Sequence, residues 1–132
     1  LCGVHLDVID MRSVSPLDTK TVLDSLRRTG RLIVADTGFK TVGVGGELLA
    51  QVLEQEFGCL KVAPVRIANP DHPVPTSQFM ASTYYPGSQA IADAAMQLLG
   101  RSIDGSDYRD LRSALKSKYP HDVPNAEFSG PF

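Results

Sequence analysis

The stretch RLIVADTGFKTVGVGGE, residues 31–47, decides how this chain is read. Leu32, Ile33, Val34 and Ala35 form a short apolar run followed by turn formers, the pattern of a parallel strand buried on both faces. Residues 36–46 then form a loop with Lys40 and the glycines Gly43, Gly45 and Gly46. Glu47 opens a stretch in which Leu48, Leu49, Val52, Leu53 and Phe57 recur at helical spacing, with Gly58 as its stop. Strand, loop and helix start are the place where α/β proteins dock ligands and partners.

Upstream, HLDVIDM at 5–11 is short and β-branched and predicts a strand. Ser15, Pro16 and Asp18 predict a helix start, with Ser15 as cap, Pro16 at the first helical position and Asp18 on the dipole. Val22, Leu23 and Leu26 give that helix its stripe, and Gly30 suits a left-handed stop. Downstream, KVAPVRIA at 61–68 predicts a third strand, paired from Val65 onward because Pro64 cannot donate to a ladder. Residues 69–87 predict a long proline-containing loop, since residues before Pro73 and Pro75 are pushed to extended geometry. A helix is predicted over 88–99, stopped by Gly100, and a shorter one over 107–117. The tail 119–132 has three prolines and no period, and its Val123, Phe128 and Phe132 suit a surface lying across another polypeptide.

This order predicts an α/β fold, a three-layer α/β/α arrangement with a mostly parallel sheet. Residues 1–100 form its body, and 101–132 a short helix plus an extended tail. Three strands are few for such a layer, and the chain enters a strand within a few residues of Leu1. Both features predict a chain cut within an α/β domain, with one or more strands missing upstream of Leu1.

The bulk numbers narrow the function. The chain has 132 residues, 42% hydrophobic and 21% charged, enough for one domain with its own core. A net charge of -2 argues against nucleic-acid binding, and no apolar run reaches the roughly 18 residues of a membrane span. Cys2 and Cys59 share no C-x-x-C spacing and read as two reduced thiols.

No complete active site emerges from the residues. The glycines do not make G-x-G-x-x-G, because Leu48 stands at the third position. They serve instead to turn the loop and bring the helix close to the sheet, Gly46 above all. Lys40 and Thr41 precede a helix N-terminus and suit an anion or a partner's carboxylate, without a Walker sequence. His5, His72 and His121 share no metal-ligand spacing. G-x-S-x-G is absent. Glu47 complements the helix dipole or reaches across an interface, and His72, between Asp71 and Pro73, reads as a surface turn.

Three segments together carry a family resemblance: VIDMRSVSPLDTKTVLDSLRRTGRLIVAD at 8–36, GFKTVGVGGELLAQVLE at 38–54, and APVRIANPDHPVPTS at 63–77. Their order resembles the C-terminal domain of the thiamine-diphosphate enzymes of the transketolase group. Within it they resemble the β subunit of 2-oxoacid dehydrogenases of the pyruvate, branched-chain and acetoin types. The resemblance implies an enzyme that decarboxylates a 2-oxoacid and passes the acyl unit to a lipoyl group, in the cytoplasm or the mitochondrial matrix. Its thiamine diphosphate and Mg lie between two other domains, so the resemblance implies no catalytic residue, no bound cofactor and no metal in this chain. It implies partners instead: a second β subunit, an α subunit and an acyltransferase core, in a homo- or hetero-oligomer. Thr37, Phe39, Lys40, Thr41, Gly43, Gly45, Gly46, Glu47, Asp71 and His72 are then the candidate interface residues.

The resemblance has departures. The family's usual E-G-P-R-T-G-G at the end of this strand is here DTGFKTVG, so Lys40 stands for an arginine and Val42 for a glycine. A lysine keeps the charge and loses the bidentate fork. The resemblance also implies that the domain's first strand and helix are absent here, and the family places that strand inside the sheet, where its loss exposes unpaired backbone groups. Two other readings stand beside this one: a stand-alone protein-interaction module using 37–46 and the tail, and a small anion-binding α/β protein using Lys40.

Overall fold

A computed structural model describes residues 3–116. Helix α1, Thr19–Thr29, leads into strand β1, Ile33–Phe39, and helix α2, Val44–Glu56, which ends in a short turn of 3₁₀ helix, Phe57–Cys59. Strand β2, Val65–Asn69, precedes helices α3, Gln78–Tyr84, α4, Ser88–Leu98, and α5, Ser106–Ala114. The strands pair in parallel, Ile33 with Val65, Val34 with Arg66 and Ala35 with Ile67. The register breaks between Ala35 and Phe39, where Phe39 faces Asn69.

The core lies between α1, α2 and β1. Val22, Leu23 and Leu26 of α1 meet Val34 and the Leu48, Leu49 and Val52 stripe of α2. Helix α4 packs against both strands, and the Arg31 guanidinium leading into β1 donates to the Leu98 carbonyl at 2.9 Å. Helices thus sandwich the sheet, the layering expected from the α/β pattern. Helix α5 closes on α4: the Ser88 hydroxyl and Gln89 amide donate to the carbonyls of Leu115 and Arg112, each at 2.7 Å. Asp93 of α4 accepts from the buried Tyr108 and from Arg112. Burial alone would raise the Asp93 pKa, but these two donors hold it below the usual carboxylate range.

Several boundaries differ from the sequence reading. The cap of α1 is Asp18, not Ser15: its carboxylate takes the Thr21 N–H at 3.1 Å and the Thr21 hydroxyl at 2.6 Å. A side chain accepting two donors from one turn outcompetes a serine three residues upstream. Gly30 is left-handed at φ 70° and its N–H returns to Leu26, as its position predicts. Strand β1 runs four residues past Ala35, because Asn69 continues its pairing: the Asn69 amide donates to the Thr37 carbonyl at 2.6 Å, and Lys40 N–H to the Asn69 carbonyl at 3.0 Å. Strand β2 begins at Val65, immediately after Pro64, as predicted.

Helix α3 lies inside what the sequence presents as loop. Among its described side chains Ala81 and Tyr84 are the buried ones, too few positions to register as a period. The predicted strand at 5–11 does not form. Ile9 and Met11 rest against the core, but Leu6 and Val8 are exposed, and a strand requires a hydrogen-bonded neighbour, which these residues lack among those described. The predicted helix at 107–117 closes at Ala114. The tail 119–132, with Val123, Phe128 and Phe132, falls outside the described residues.

The bend after α2 is tied back to α1 by an ion pair. Arg27 Nε donates to Glu56 at 2.9 Å, and the Cys59 thiol donates to the same carboxylate at 2.8 Å. The Arg27 bonds, then the thiol, hold the Glu56 pKa at about 2, against an ordinary 4.5. A carboxylate depressed in the folded state contributes stability that is present above its unfolded pKa and lost as pH falls through its folded one. Thermal melts are therefore expected to weaken from about pH 4.5 toward pH 2, with a shallower decline in Glu56→Gln. The carboxylate, with burial, raises the Cys59 pKa, so this thiol stays protonated and is a poor nucleophile.

Candidate functional site

The C-terminal ends of β1 and β2 gather most of the candidate residues. The loop 40–43 and the loop 70–75 are joined by Asp71, whose carboxylate accepts the Thr41 N–H at 2.9 Å and contacts the Thr41 hydroxyl. The hydroxyl first, then the backbone N–H, hold the Asp71 pKa below the usual range. Arg66 of β2 donates to the Lys40 carbonyl from beneath the loop. The Lys40 side chain is exposed. His72 is exposed too, its ring edge-on to the buried Tyr84 at 5.3 Å, while the Tyr84 hydroxyl donates to the His72 carbonyl at 2.9 Å.

The glycines divide by role. A Cβ on Gly43, the residue that caps α2, would lie 2.3 Å from the Phe39 carbonyl oxygen. On Gly45 it would lie 3.0 Å from Val34 Cγ1. On Gly46 it would meet only the Arg66 guanidinium at 3.6 Å, an ordinary contact. Close helix–sheet approach therefore depends on Gly43 and Gly45, not on Gly46 as the sequence suggests. Asp36 brings its carboxylate to within 3.6 Å of that Gly43 position and accepts the Gly38 N–H at 2.9 Å. The chain's own acid thus stands at the start of α2, where an external anion would bind. Glu47, in the first turn of α2, is engaged along the helix with Gln51 at 2.8 Å.

Val42 is the departure with a structural consequence. Its φ is 61° and its side chain is 99% exposed. A β-branched residue in the left-handed region is strained, and this one recovers nothing by packing. Val42→Gly is expected to stabilise the chain by about 0.5–1.5 kcal/mol, the left-handed cost less the chain entropy of glycine. Urea denaturation measures it as a higher midpoint at unchanged slope.

Two participants escape the sequence reading. Asn69 is 5% exposed, donates to Thr37, and has no hydrogen-bond partner for its Oδ1 among the described residues. Arg66 supports the loop from an otherwise apolar strand. Neither belongs to a motif, and only strand pairing brings them to the loop. Around this frame Phe39, Val42, Val44, Val74 and Met80 present apolar surface to solvent. No group of three or more His, Cys, Asp or Glu side chains converges as metal ligands among the described residues.

Residues 2–91 match the model of the transketolase C-terminal domain. The chain belongs to this family. The β subunit of acetoin:2,6-dichlorophenolindophenol oxidoreductase from Cupriavidus necator is 37% identical over 97 residues, 74% of this chain and 29% of that protein. The mitochondrial pyruvate dehydrogenase E1 component subunit beta of Chaetomium thermophilum is 36% identical over 97 residues, 74% of this chain and 25% of its own length. The pyruvate dehydrogenase E1 component subunit beta of Rhizobium meliloti is 32% identical over 92 residues, 70% of this chain and 20% of its own. The chain thus spans less than a third of the length of these relatives. Residues 37–46 are the end of β1, the connecting loop 40–43 and the start of α2, braced by Asp71 and Arg66.

Proposed function

We propose that this transketolase C-terminal domain is an assembly element of a thiamine-diphosphate-dependent 2-oxoacid dehydrogenase β subunit. The whole enzyme would decarboxylate a 2-oxoacid and transfer the acyl unit to a lipoyl group. The carbon chemistry would be the cofactor's. The single observation that carries the reading is the braced loop: polar bonds from Asp71 and Arg66 fix its backbone, while Phe39, Val42 and Val44 point to solvent. A rigid loop presenting apolar side chains costs little ordering entropy on association. Among the described residues no set of carboxylates converges to hold Mg and a diphosphate, and Asp36 already faces the start of α2. The proposed role of Thr37, Phe39, Lys40, Thr41 and His72 is contact with a neighbouring β or α subunit, with Gly43, Gly45 and Asp71 shaping the surface.

Light scattering of the chain with a candidate α subunit of the pyruvate or acetoin type tests this. A stoichiometric complex is expected, weakened about tenfold or more by Phe39→Asp, which places a charge at an apolar contact. No complex with either type, or one indifferent to Phe39→Asp, overturns the reading. The same exposed patch supports a second one, a stand-alone interaction module, in which the chain captures a protein other than a dehydrogenase subunit.

A further inference from the structure

The turn from α4 into α5 holds a chemically labile pair. Asp104–Gly105 is the one place in the sequence where an aspartate or asparagine precedes glycine; Asn69 and Asn125 are followed by Pro70 and Ala126. An aspartyl carboxyl carbon and the next residue's backbone nitrogen are spaced to close a five-membered ring. A side chain on the following residue obstructs that closure, and glycine has none. The rate then depends on whether the fold keeps the two atoms apart.

This fold leaves them free to meet. Residues 101–107 are all exposed. A Cβ on Gly105 would meet nothing within 4 Å. A cavity of about 310 Å³, with Ser102, Gly105 and Ser106 in its wall, leaves room for water beside the turn. The Asp104 N–H donates to the Ser102 hydroxyl at 3.1 Å, which ties the residue from its upstream side only. Gly105 caps α5 in extended geometry, and its carbonyl accepts the Arg109 N–H at 3.0 Å. Its own N–H has no backbone partner among the described residues.

Other aspartates of the described residues are restrained. Asp7, Asp18, Asp71 and Asp93 accept from Ser25, Thr21, Thr41 and Tyr108, and Asp36 takes the Gly38 N–H. Asp24 and Asp110 lie inside α1 and α5, where the following N–H is committed to the helix.

We propose that Asp104 is a site of spontaneous backbone modification, cyclising with Gly105 to a succinimide that hydrolyses to isoaspartate. The Gly105 nitrogen attacks the carboxyl carbon of Asp104 in its acid form. A C–N bond replaces a C–O bond, and the hydroxyl leaves as water with the amide proton. A second water opens the ring. Attack at the side-chain carbonyl restores aspartate. Attack at the main-chain carbonyl routes the backbone through the side chain and frees the α-carboxyl. Nothing is oxidised or reduced, and water is the only co-reactant.

The isoaspartyl backbone is one methylene longer immediately ahead of the α5 cap. The bonds that hold α5 to α4 lie downstream, at Tyr108, Arg112 and Leu115. The change is therefore confined to the turn and the first residues of α5, and the helix stays docked. The site lies beyond residues 2–91 that match the family and apart from the loop 37–46, so it does not rest on the proposed assembly role.

The full chain and the synthetic peptide Ser102–Arg109 are incubated side by side at neutral pH for several weeks. Trypsin, cutting after Arg101 and Arg109, releases the same peptide from the chain. Electron-transfer fragmentation then separates isoaspartate from aspartate at 104 and, as an internal control, at Asp107 inside α5. Isoaspartate is expected at 104 in the chain at a rate within about fivefold of the free peptide, preceded by a species one water lighter, with none at 107. Gly105→Ala should keep the circular dichroism of the parent and form it about tenfold or more slowly. A rate in the folded chain below that range, an equal rate in Gly105→Ala, or isoaspartate spread equally over 104 and 107 would overturn the proposal.

Discussion

Leu26→Ala is expected to lower the stability of this chain by about 2–5 kcal/mol, the range for deleting a fully buried leucine. Leu26 is 1% exposed and sits where α1 meets β1 and α2. Only Val52, at 0%, is as thoroughly enclosed among the described large side chains. The sheet beneath has two paired strands among the described residues, so little surrounding structure is available to collapse into the space. Against a total of about 5–15 kcal/mol for a typical domain, such a loss removes a large share of the folding free energy. Urea denaturation should report a lower midpoint at unchanged slope. Val8→Ala, in a side chain already solvated, should move it by less than about 0.5 kcal/mol. Equal effects of the two variants would mean that the core is not where Leu26 sits.

Gly43→Ala is the second large effect, expected at about 1–3 kcal/mol. The cause is space, not dihedral angle: Gly43 has φ -75° and ψ 156°, which any residue adopts. The new methyl would lie 2.3 Å from a backbone oxygen at the end of β1. Backbone cannot rotate aside as a side chain can, so the turn from β1 into α2 must shift and strain the Thr41–Asp71 tie. Gly45→Ala meets a valine methyl at 3.0 Å and should cost less, because Val34 can yield slightly. Gly46→Ala meets an ordinary contact at 3.6 Å inside a helix and should gain up to about 1 kcal/mol from helix propensity. The order of the three, measured by thermal or urea unfolding, is the check. A Gly46 variant that destabilises more than the Gly43 variant would contradict the packing described.

What the sequence made legible follows the strength of local signals. The apolar run at 32–35, the stop at Gly30 and the start of β2 after Pro64 each rest on one or two residues with a single physical meaning. The segment 5–11 carried an equally good pattern and misled, because pairing is supplied by a neighbour and not by the strand's own residues. Helix α3 was illegible for the opposite reason: among its described side chains, burial is carried by Ala81 and Tyr84. At the candidate site, the braced loop was visible through its glycines and Lys40, but the brace was not. Thr41 and Asp71 are thirty residues apart, and nothing local announces their bond. Val42 shows the reverse case, a departure from a glycine visible in the sequence whose meaning, a left-handed backbone, needed the fold.

The central claim is that the loop 37–46 is the surface this domain offers to a neighbouring subunit. Hydrogen–deuterium exchange of the chain with and without a dehydrogenase α subunit tests it most directly. The account predicts that protection appears over 37–46 and the adjoining 70–80, while α5 and the core of α1 stay unchanged. Protection confined to α5 or to residues 6–11, with the loop exchanging as in the free chain, would contradict it.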